Sequence, residues 1–371
     1  MSQWWQQWDP DQVTLADDSP GDDWKTCVLQ GVYFGENEYD GNMGGRISAI
    51  FVILVTSLIA TLFPVVSMRV KWMRIPEIAY VIAKMFGSGV IVATAFIHLM
   101  DPAYASIGGN ACVGMTGNWS SYPWCPAIML ASAVFIFIVD AYCDFFADIW
   151  YGIHSHLVDN IPGIQGSPVH PSVDHTHTHT DVEDCASSIV SAKEKLDESE
   201  ISEPEKVDVE FYSQFAGFLI LEFGVIFHSV MIGLTLGSSE EYRTLYPVLV
   251  FHQAFEGLGI GSRLSTIPFP KGKKWWPYAL SIAYSMTTPI AIAIGLGVRE
   301  SYRDSGYTAL IVQGVLDAIS AGILLYTGFV ELLARDFIFN PRRTKNIWML
   351  NLQLFSFLWG AGLMALLGEW A

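Results

Sequence analysis

Residues 211–237 read FYSQFAGFLILEFGVIFHSVMIGLTLG. This run is long enough to cross a bilayer as an α-helix, because about 20 apolar residues span the hydrocarbon core. It nevertheless contains Glu222 and His228, whose polar side chains are costly in lipid and normally face the interior of a helix bundle or a water-filled path. The stretch therefore predicts a membrane helix that presents a polar site to its neighbours.

Seven further apolar runs of similar length occur along the chain, which makes eight predicted spans in all. The other runs are 47–67, 78–100, 127–150, 245–264, 276–297, 307–333 and 348–367. The chain is 51% hydrophobic and only 15% charged, with a mean hydropathy of +0.35. We therefore predict an all-α membrane protein, an eight-helix bundle arranged 3+2+3. Spans one to three and six to eight run in opposite senses, which allows inverted repeats, although no sequence self-similarity demonstrates them.

The net charge of −17 is confined to two segments. Residues 1–45 hold nine acids and one base, and residues 151–210 hold thirteen acids and three bases. We divide the chain into an acidic N-terminal segment (1–45), spans one to three (46–150), an acidic His-rich loop (151–210) and spans four to eight (211–371). The loop is poor in large apolar residues, so we expect disorder there. The acidity argues against nucleic acid as a partner.

The distribution of Lys and Arg in short loops predicts the orientation. Eleven bases fall on one side: Arg69, Lys71, Arg74, Arg263, Lys271, Lys273, Lys274, Arg335, Arg342, Arg343 and Lys345. The opposing short loops hold Arg243, Arg299 and Arg303. Both termini are then extracellular and the long loop is cytosolic. The start of the chain has neither a basic region nor an apolar core, so we expect no cleavable signal peptide.

A set of metal-ligand side chains converges at one depth. Residues 251–261 read FHQAFEGLGIG, in which His252 and Glu256 share a helix face. At a rise of about 1.5 Å per residue, His228 lies about 14 Å, His252 about 10 Å and Glu256 about 16 Å below the outer surface. A single intramembrane His is as often an interhelical hydrogen-bonder, but three converging ligands favour a metal site. Two imidazoles and a carboxylate suit Zn²⁺ and tolerate Fe²⁺ or Mn²⁺.

Further polar side chains extend this site. Ser229 and Gln253 are candidates to complete the coordination with neutral oxygens, and Glu222, nearer the cytosol, to compensate charge or to receive the ion next. His98 and Asp101 suit a metal entrance at the outer end of span two, with interfacial polar residues as the alternative. Asp317 and Glu331 are the predicted inner exit. Asp140, Asp144 and Asp148 share one face of span three and are further candidates; for Glu331 and Asp148, solvated helix ends are the alternative.

The stretches HSVMIGLTLG (228–237) and HQAFEGLGIG (252–261) resemble the fourth and fifth spans of the ZIP metal transporters. The resemblance covers nearly the whole chain, including GSGVIVATAFIHLMDPAY (87–104) and LDAISAGILLYTGFVELLARDF (316–337), and it is closest to the fungal plasma-membrane zinc-regulated zinc importers. It implies eight spans, extracellular termini, a His-rich cytosolic loop and inward movement of metal. It also places His228, His252 and Glu256 at the primary metal site of the family.

The chain departs from some members of the family at three positions. Ile232 stands where some relatives have a carboxylate, and Gln253 and Thr288 stand where relatives with a second, adjacent metal have acids. We therefore expect one ion at this site rather than two.

The cytosolic loop contains DHTHTHTD, in which His175, His177 and His179 form a weak metal trap that senses or buffers zinc. The alternative is a linker whose loss leaves transport intact. Lys193 and Lys195 are candidate acceptors for a ubiquitin ligase, although nothing in the sequence singles them out. The lipid bilayer, the divalent ion and a homodimer complete the set of partners that we consider.

Zn²⁺ is thus the predicted transported substrate of a multi-pass plasma-membrane importer. A broader importer of Fe²⁺ or Mn²⁺ is the first alternative, because the ligands alone do not select zinc. A metal-sensing receptor without transport is the second. An intramembrane zinc protease is disfavoured, because Gln253 replaces the Glu that follows the first His in HExxH. We therefore do not expect an enzyme.

Overall fold

The computed structural model describes residues 21–33, 41–151, 203–238, 242–299, 305–339 and 344–370. Within these ranges the regular structure is entirely helical. The main helices are α1 Asp22–Leu29, α2 Met43–Arg69, α3 Glu77–Ile107, α4 Trp124–Tyr151, α5 Glu203–Ser238, α6 Tyr242–Thr266, α7 Trp276–Val298, α8 Tyr307–Phe339 and α9 Ile347–Leu367. Helices α2 to α9 correspond in order to the predicted spans one to eight.

Local sequence signals explain several of the helix starts. The side chain of Asn42 accepts a hydrogen bond from the backbone N–H of Gly45 at the start of α2, and that of Asn346 accepts one from Trp348 at the start of α9. Both are N-caps, which satisfy backbone donors that have no partner within the helix. Pro277 lies in the first turn of α7, where its missing N–H removes no helical hydrogen bond.

Three helices extend furthest beyond the apolar runs that predicted them. α3 continues to Ile107 and α8 to Phe339, past the predicted ends at 100 and 333. α5 begins at Glu203, inside the segment 151–210 for which we expected disorder. A helix propagates by adding one hydrogen bond per residue, so it continues beyond the last apolar side chain. The end of a hydropathy run is therefore a poor guide to the end of a helix.

Two of these helices contain stretches of wide, π-type turns. In α3 the wide turns cover Thr94–Met100, and in α8 they cover Thr327–Phe339. Such turns are rare and concentrate at functional sites. The first stretch carries His98 and the second carries Glu331 and Asp336.

Seven of the long helices in the described part of the chain are apolar enough to cross a membrane: α2, α3, α4, α5, α7, α8 and α9. α6 has 25 residues, which is long enough, but it is less apolar. Its polar content includes His252, Glu256 and Arg263, and many of its side chains are buried within the bundle.

The long helices form two groups of four. In the first group α5 packs on α7, and α2 packs on both α6 and α7. In the second, α3 packs on both α9 and α8, and α4 packs on α8. The contacts α3–α6 and α5–α8 join the groups. The largest cluster of buried apolar side chains lies along this junction and includes Ile91, Leu221, Ile260 and Leu324.

This packing has an internal twofold pattern. The pattern pairs α2 with α7, α3 with α8, α4 with α9, and α5 with α6. When the members of each pair are exchanged, the main contacts between different pairs become other observed contacts: α3–α9 becomes α8–α4, α2–α6 becomes α7–α5, and α3–α6 becomes α8–α5. The two helices with wide turns, α3 and α8, also exchange. Inverted repeats of spans one to three and six to eight would produce this pattern.

The short α1 helix is fastened to the end of the bundle where α3 ends and α8 begins. Cys27 forms a disulfide with Cys112, and the Gln30 side chain accepts a hydrogen bond from the backbone N–H of Cys112 (2.8 Å). Tyr33 stacks on Tyr307, the first residue of α8. The N-terminal segment is therefore held to this end of the bundle by a covalent link and by aromatic packing.

Candidate metal centre

Three buried ligand side chains from α5 and α6 meet in the first helix group. Nε2 of His228 lies 3.2 Å from Nε2 of His252. Oε1 of Glu256 lies 3.5 Å from Nε2 of His252 and 4.0 Å from Nε2 of His228. We call these three residues the central triad. They form the one group of three or more His, Cys, Asp or Glu side chains suited to holding a metal ion in the part of the chain that the structure describes.

The spacing within the triad follows from helix geometry. His252 and Glu256 are one turn apart on α6 and therefore share a face. His228 reaches the same point from α5, the preceding helix. Ligand atoms about 2.0–2.2 Å from a tetrahedral zinc ion are separated from each other by roughly 3.3 Å. The observed separations approach this value, so one small divalent cation fits between the three atoms with little rearrangement.

Several buried polar atoms at the triad have no hydrogen-bond partner. They are Nδ1 of His228, Nδ1 of His252, Oε1 of Glu256 and Oγ of the neighbouring Ser229. Leaving a buried donor or acceptor unpaired costs about 1–3 kcal/mol. A cation bound between the side chains would give the Glu256 oxygen the partner that the protein does not supply. The donor set therefore fits a metal ion better than a static interhelical hydrogen bond.

Tyr284 on α7 positions the carboxylate of the triad. Its buried hydroxyl donates a hydrogen bond to Oε2 of Glu256 (3.4 Å), which leaves Oε1 directed toward the two imidazoles. Second-layer hydrogen bonds of this kind fix the orientation of metal ligands. Sequence reasoning did not identify Tyr284, because a tyrosine in an apolar span carries no spacing signal that links it to a distant glutamate.

Gln253, a candidate fourth ligand, is held by neighbouring helices. Its amide Nε2 donates to Oγ of Ser57 on α2 (3.3 Å), and its Oε1 accepts from Oγ1 of Thr288 on α7 (3.2 Å). Gln253 and Thr288, the two neutral residues noted in the sequence, therefore bond to each other. This network ties α2, α6 and α7 together beside the triad.

His98 from α3 lies directly against the triad. Its ring packs edge-on to the ring of His252, with 4.8 Å between centroids. Nε2 of His98 donates to the carbonyl of Met364 on α9 (3.1 Å), and in that tautomer Nδ1 carries the lone pair. Asp101, the other predicted entrance residue, is exposed. The two side chains thus lie at different depths, with His98 the closer to the triad.

Glu222 lies in the middle of α5, before His228 in the chain. Its Oε2 is buried without a hydrogen-bond partner, and its carboxylate interacts electrostatically with that of Glu256. The next residue toward the start of α5, Leu221, lines a cavity of about 430 Å³. Along α5, Glu222 thus follows the residues that line the cavity and precedes His228 of the triad.

The cavity opens at the end of the bundle opposite α1 and contains five charged side chains, which we call the inner mouth. They are Lys84, Arg263, Glu331, Arg335 and Asp336. Each acid has a basic partner there: Arg335 lies 2.8 Å from Glu331, and Lys84 lies 2.7 Å from Asp336. Asp336 is a residue of this mouth that the sequence analysis did not single out.

The two predicted exit residues lie in different places. Glu331 lines the cavity, whereas Asp317 is buried and does not line it. Asp140 accepts a hydrogen bond from Tyr326 (2.7 Å) on α8. The side chains of Asp144 and Asp148 and the loop residues His175, His177 and His179 lie outside the described residues.

Comparison with known proteins gives one consistent result. The model of the family described as "ZIP Zinc transporter" matches residues 44–368. The chain is 58% identical to "Zinc-regulated transporter 1" of Saccharomyces cerevisiae, over 99% of this chain and 98% of that protein. It is 41% identical to "Zinc-regulated transporter 1" of Schizosaccharomyces pombe (90% and 87% covered) and 32% identical to "Zinc transporter 3" of Arabidopsis thaliana (91% and 88% covered). No solved structure matches.

Proposed function

Because this chain belongs to the ZIP family of zinc transporters, we propose that it imports Zn²⁺ across the plasma membrane into the cytosol through the central triad. One observation carries the proposal. The ligand atoms of His228, His252 and Glu256 are buried within 4.8 Å of one another, and in the described part of the chain no Lys or Arg forms an ion pair with Glu256. A buried carboxylate without a basic partner is costly, and a passing cation would supply the missing positive charge.

The composition of the triad suits an ion that must leave again. Zn²⁺ binds readily to imidazole nitrogen and carboxylate oxygen, and structural zinc sites close the shell with four protein ligands. Three ligands leave coordination open for water or for the next group on the path. Ser229 and Gln253 are candidates for a weak fourth contact, and the hydrogen bonds of Gln253 to Ser57 and Thr288 make Ser229 the better one.

We place four steps on the path of the ion. Asp101 and His98 take it from the outer side, since His98 touches His252. The triad binds it, Glu222 receives it next, and Glu331 faces the cavity through which it leaves. We leave Asp317 off this path because it does not line the cavity.

The proposed topology has eight crossings with both termini outside. α6 supplies the eighth crossing, since it lies among spanning helices and its polar residues face inward. The Lys and Arg distribution orients the bundle. The Cys27–Cys112 disulfide supports this orientation, because disulfides persist on the oxidising, extracellular side of a plasma membrane.

Zinc uptake in a fungal strain that lacks its own zinc importers tests the proposal. We expect saturable uptake of radioactive Zn²⁺ into cells, with weaker competition by Fe²⁺ and Mn²⁺. Uptake of iron or manganese in preference to zinc would support the broader importer, and absence of all uptake by surface-exposed protein would support a receptor.

A membrane-impermeant thiol reagent tests the topology. We expect it to label Cys27 in intact cells only after reduction of the disulfide.

A further inference from the structure

A buried arginine lies on the same helix face as the triad, on its cytosolic side. Arg263 follows Glu256 by seven residues on α6, which places it about 10 Å further along the helix and on nearly the same face. Its side chain is only 13% exposed. A buried cation this close to the path of a divalent cation repels the ion, so its presence needs a function.

The contacts of Arg263 join the two helix groups. One terminal nitrogen of its guanidinium donates to Oγ of Ser88 on α3 (2.6 Å) and lies 3.9 Å from Oδ2 of Asp336 on α8. Lys84 of α3 holds the other oxygen of the same carboxylate at 2.7 Å. Two cations from different helices therefore share Asp336.

The backbones of α3 and α6 touch immediately above this contact. Gly87 and Gly259 face each other so closely that a side chain on either would overlap the backbone of the other. This contact lies between Glu256 and Arg263 along α6. Arg263 therefore marks the point where the sealed α3–α6 contact ends and the inner mouth begins.

We propose that Arg263 is a positioning residue of the exit step. Its guanidinium stays beside the Asp336 carboxylate until the departing Zn²⁺ displaces the guanidinium from that carboxylate. The inference rests on the proposed function and deepens it. With Arg263 in place, its positive charge 3.9 Å from Oδ2 of Asp336 disfavours a metal ion at that oxygen. As the ion moves toward the inner mouth, the carboxylate exchanges one cation for another, and the return of the guanidinium then drives the zinc into the cytosol.

Zinc binding to the purified full-length protein tests this exchange without requiring transport. We expect the wild-type chain to retain one zinc ion, and Arg263→Gln to retain a second, weaker one. That second ion should disappear in the double variant Arg263→Gln/Asp336→Asn and in Arg263→Lys, which keeps the positive charge. Arg299→Gln removes the same charge from the other end of the bundle and should leave the zinc count at one.

Uptake kinetics provide the second readout. We expect Arg263→Gln to lower the maximal uptake rate about fivefold without raising KM, because zinc lingers on Asp336. Arg263→Lys should restore most of the rate. The proposal would be overturned if Arg263→Gln bound one zinc ion and its uptake fell only in proportion to the amount of folded surface protein. The contact between Arg263 and Asp336 would then be a static ion pair.

A further variant keeps the inference testable if Arg263→Gln does not fold. Asp336→Asn removes the carboxylate that the departing ion is proposed to use, so maximal uptake per folded protein at the cell surface should fall. Uptake at the wild-type rate in Asp336→Asn would overturn the exit step. The proposed function is judged separately, because it fails only if the wild-type chain takes up no zinc.

Discussion

The central triad and the inner mouth lie about 10 Å apart along α6, yet they handle charge in opposite ways. At the triad, Oε1 of Glu256 is buried with two imidazoles and has no hydrogen-bond partner. At the inner mouth, Glu331 and Asp336 are each held by a basic side chain. Within the described residues, the triad carboxylate therefore lacks a Lys or Arg partner, whereas both acids of the mouth have one. Under the proposed function, the ion binds at the triad and the mouth governs its release.

The largest effect should come from removing a ligand of the triad. We expect Ala at His228, His252 or Glu256 to reduce zinc uptake by at least about 100-fold, since even outer-layer partners of metal ligands contribute about 10–100-fold. The measurement is initial uptake normalised to surface protein. Near-normal uptake in two of the three variants would show that the triad is not the binding site for the transported ion.

A smaller effect should come from Tyr284, which orients the carboxylate without touching the ion. Tyr284→Phe removes the hydroxyl that donates to Glu256, and we expect KM for zinc to rise about 10-fold with the maximal rate less affected. Tyr278→Phe on the same helix is the matched control, because Tyr278 packs against Arg69 instead. An unchanged KM in Tyr284→Phe would mean that the carboxylate is held by other contacts.

The mouth should respond more weakly than the triad. Glu331→Gln breaks the pair with Arg335, whose side chain is 36% exposed, and such pairs contribute about 0–1 kcal/mol. We expect a change in maximal uptake of about fivefold or less, because 1 kcal/mol corresponds to about a fivefold change. Asp317→Asn should have a still smaller effect, because Asp317 does not line the cavity. If Asp317→Asn had a larger effect than Glu331→Gln, Asp317 would belong to the route that the ion takes through the protein.

The smallest effect on uptake should come from deleting residues 170–185, which removes the His run at 175–179 but no part of a described helix. Initial uptake should stay within a few-fold of the full chain, while the response to excess zinc is lost. Collapse of uptake with normal surface protein would place this loop on the permeation path. An unaltered zinc response would make it a linker.

Much of the fold could be read from hydropathy, and the triad from spacing. The eight runs anticipate the order of α2 to α9, because backbone groups in a membrane must bond internally and so form helices. The depths of His228, His252 and Glu256 followed from a fixed rise per residue. The sequence did not distinguish the surroundings of Asp317 from those of Glu331, because depth along a helix does not tell which neighbouring helix a side chain faces.

The sequence by itself determined the apolar helices, their polar stretches and the common level of the three triad side chains, since each depends on local composition and regular helix geometry. Only the tertiary structure decided the twofold packing, the Cys27–Cys112 pairing, the hydroxyl of Tyr284 on Glu256 and the sharing of Asp336 by Lys84 and Arg263. These features join residues far apart in the chain. Their pairing depends on which helix faces pack together, and no local pattern records that choice.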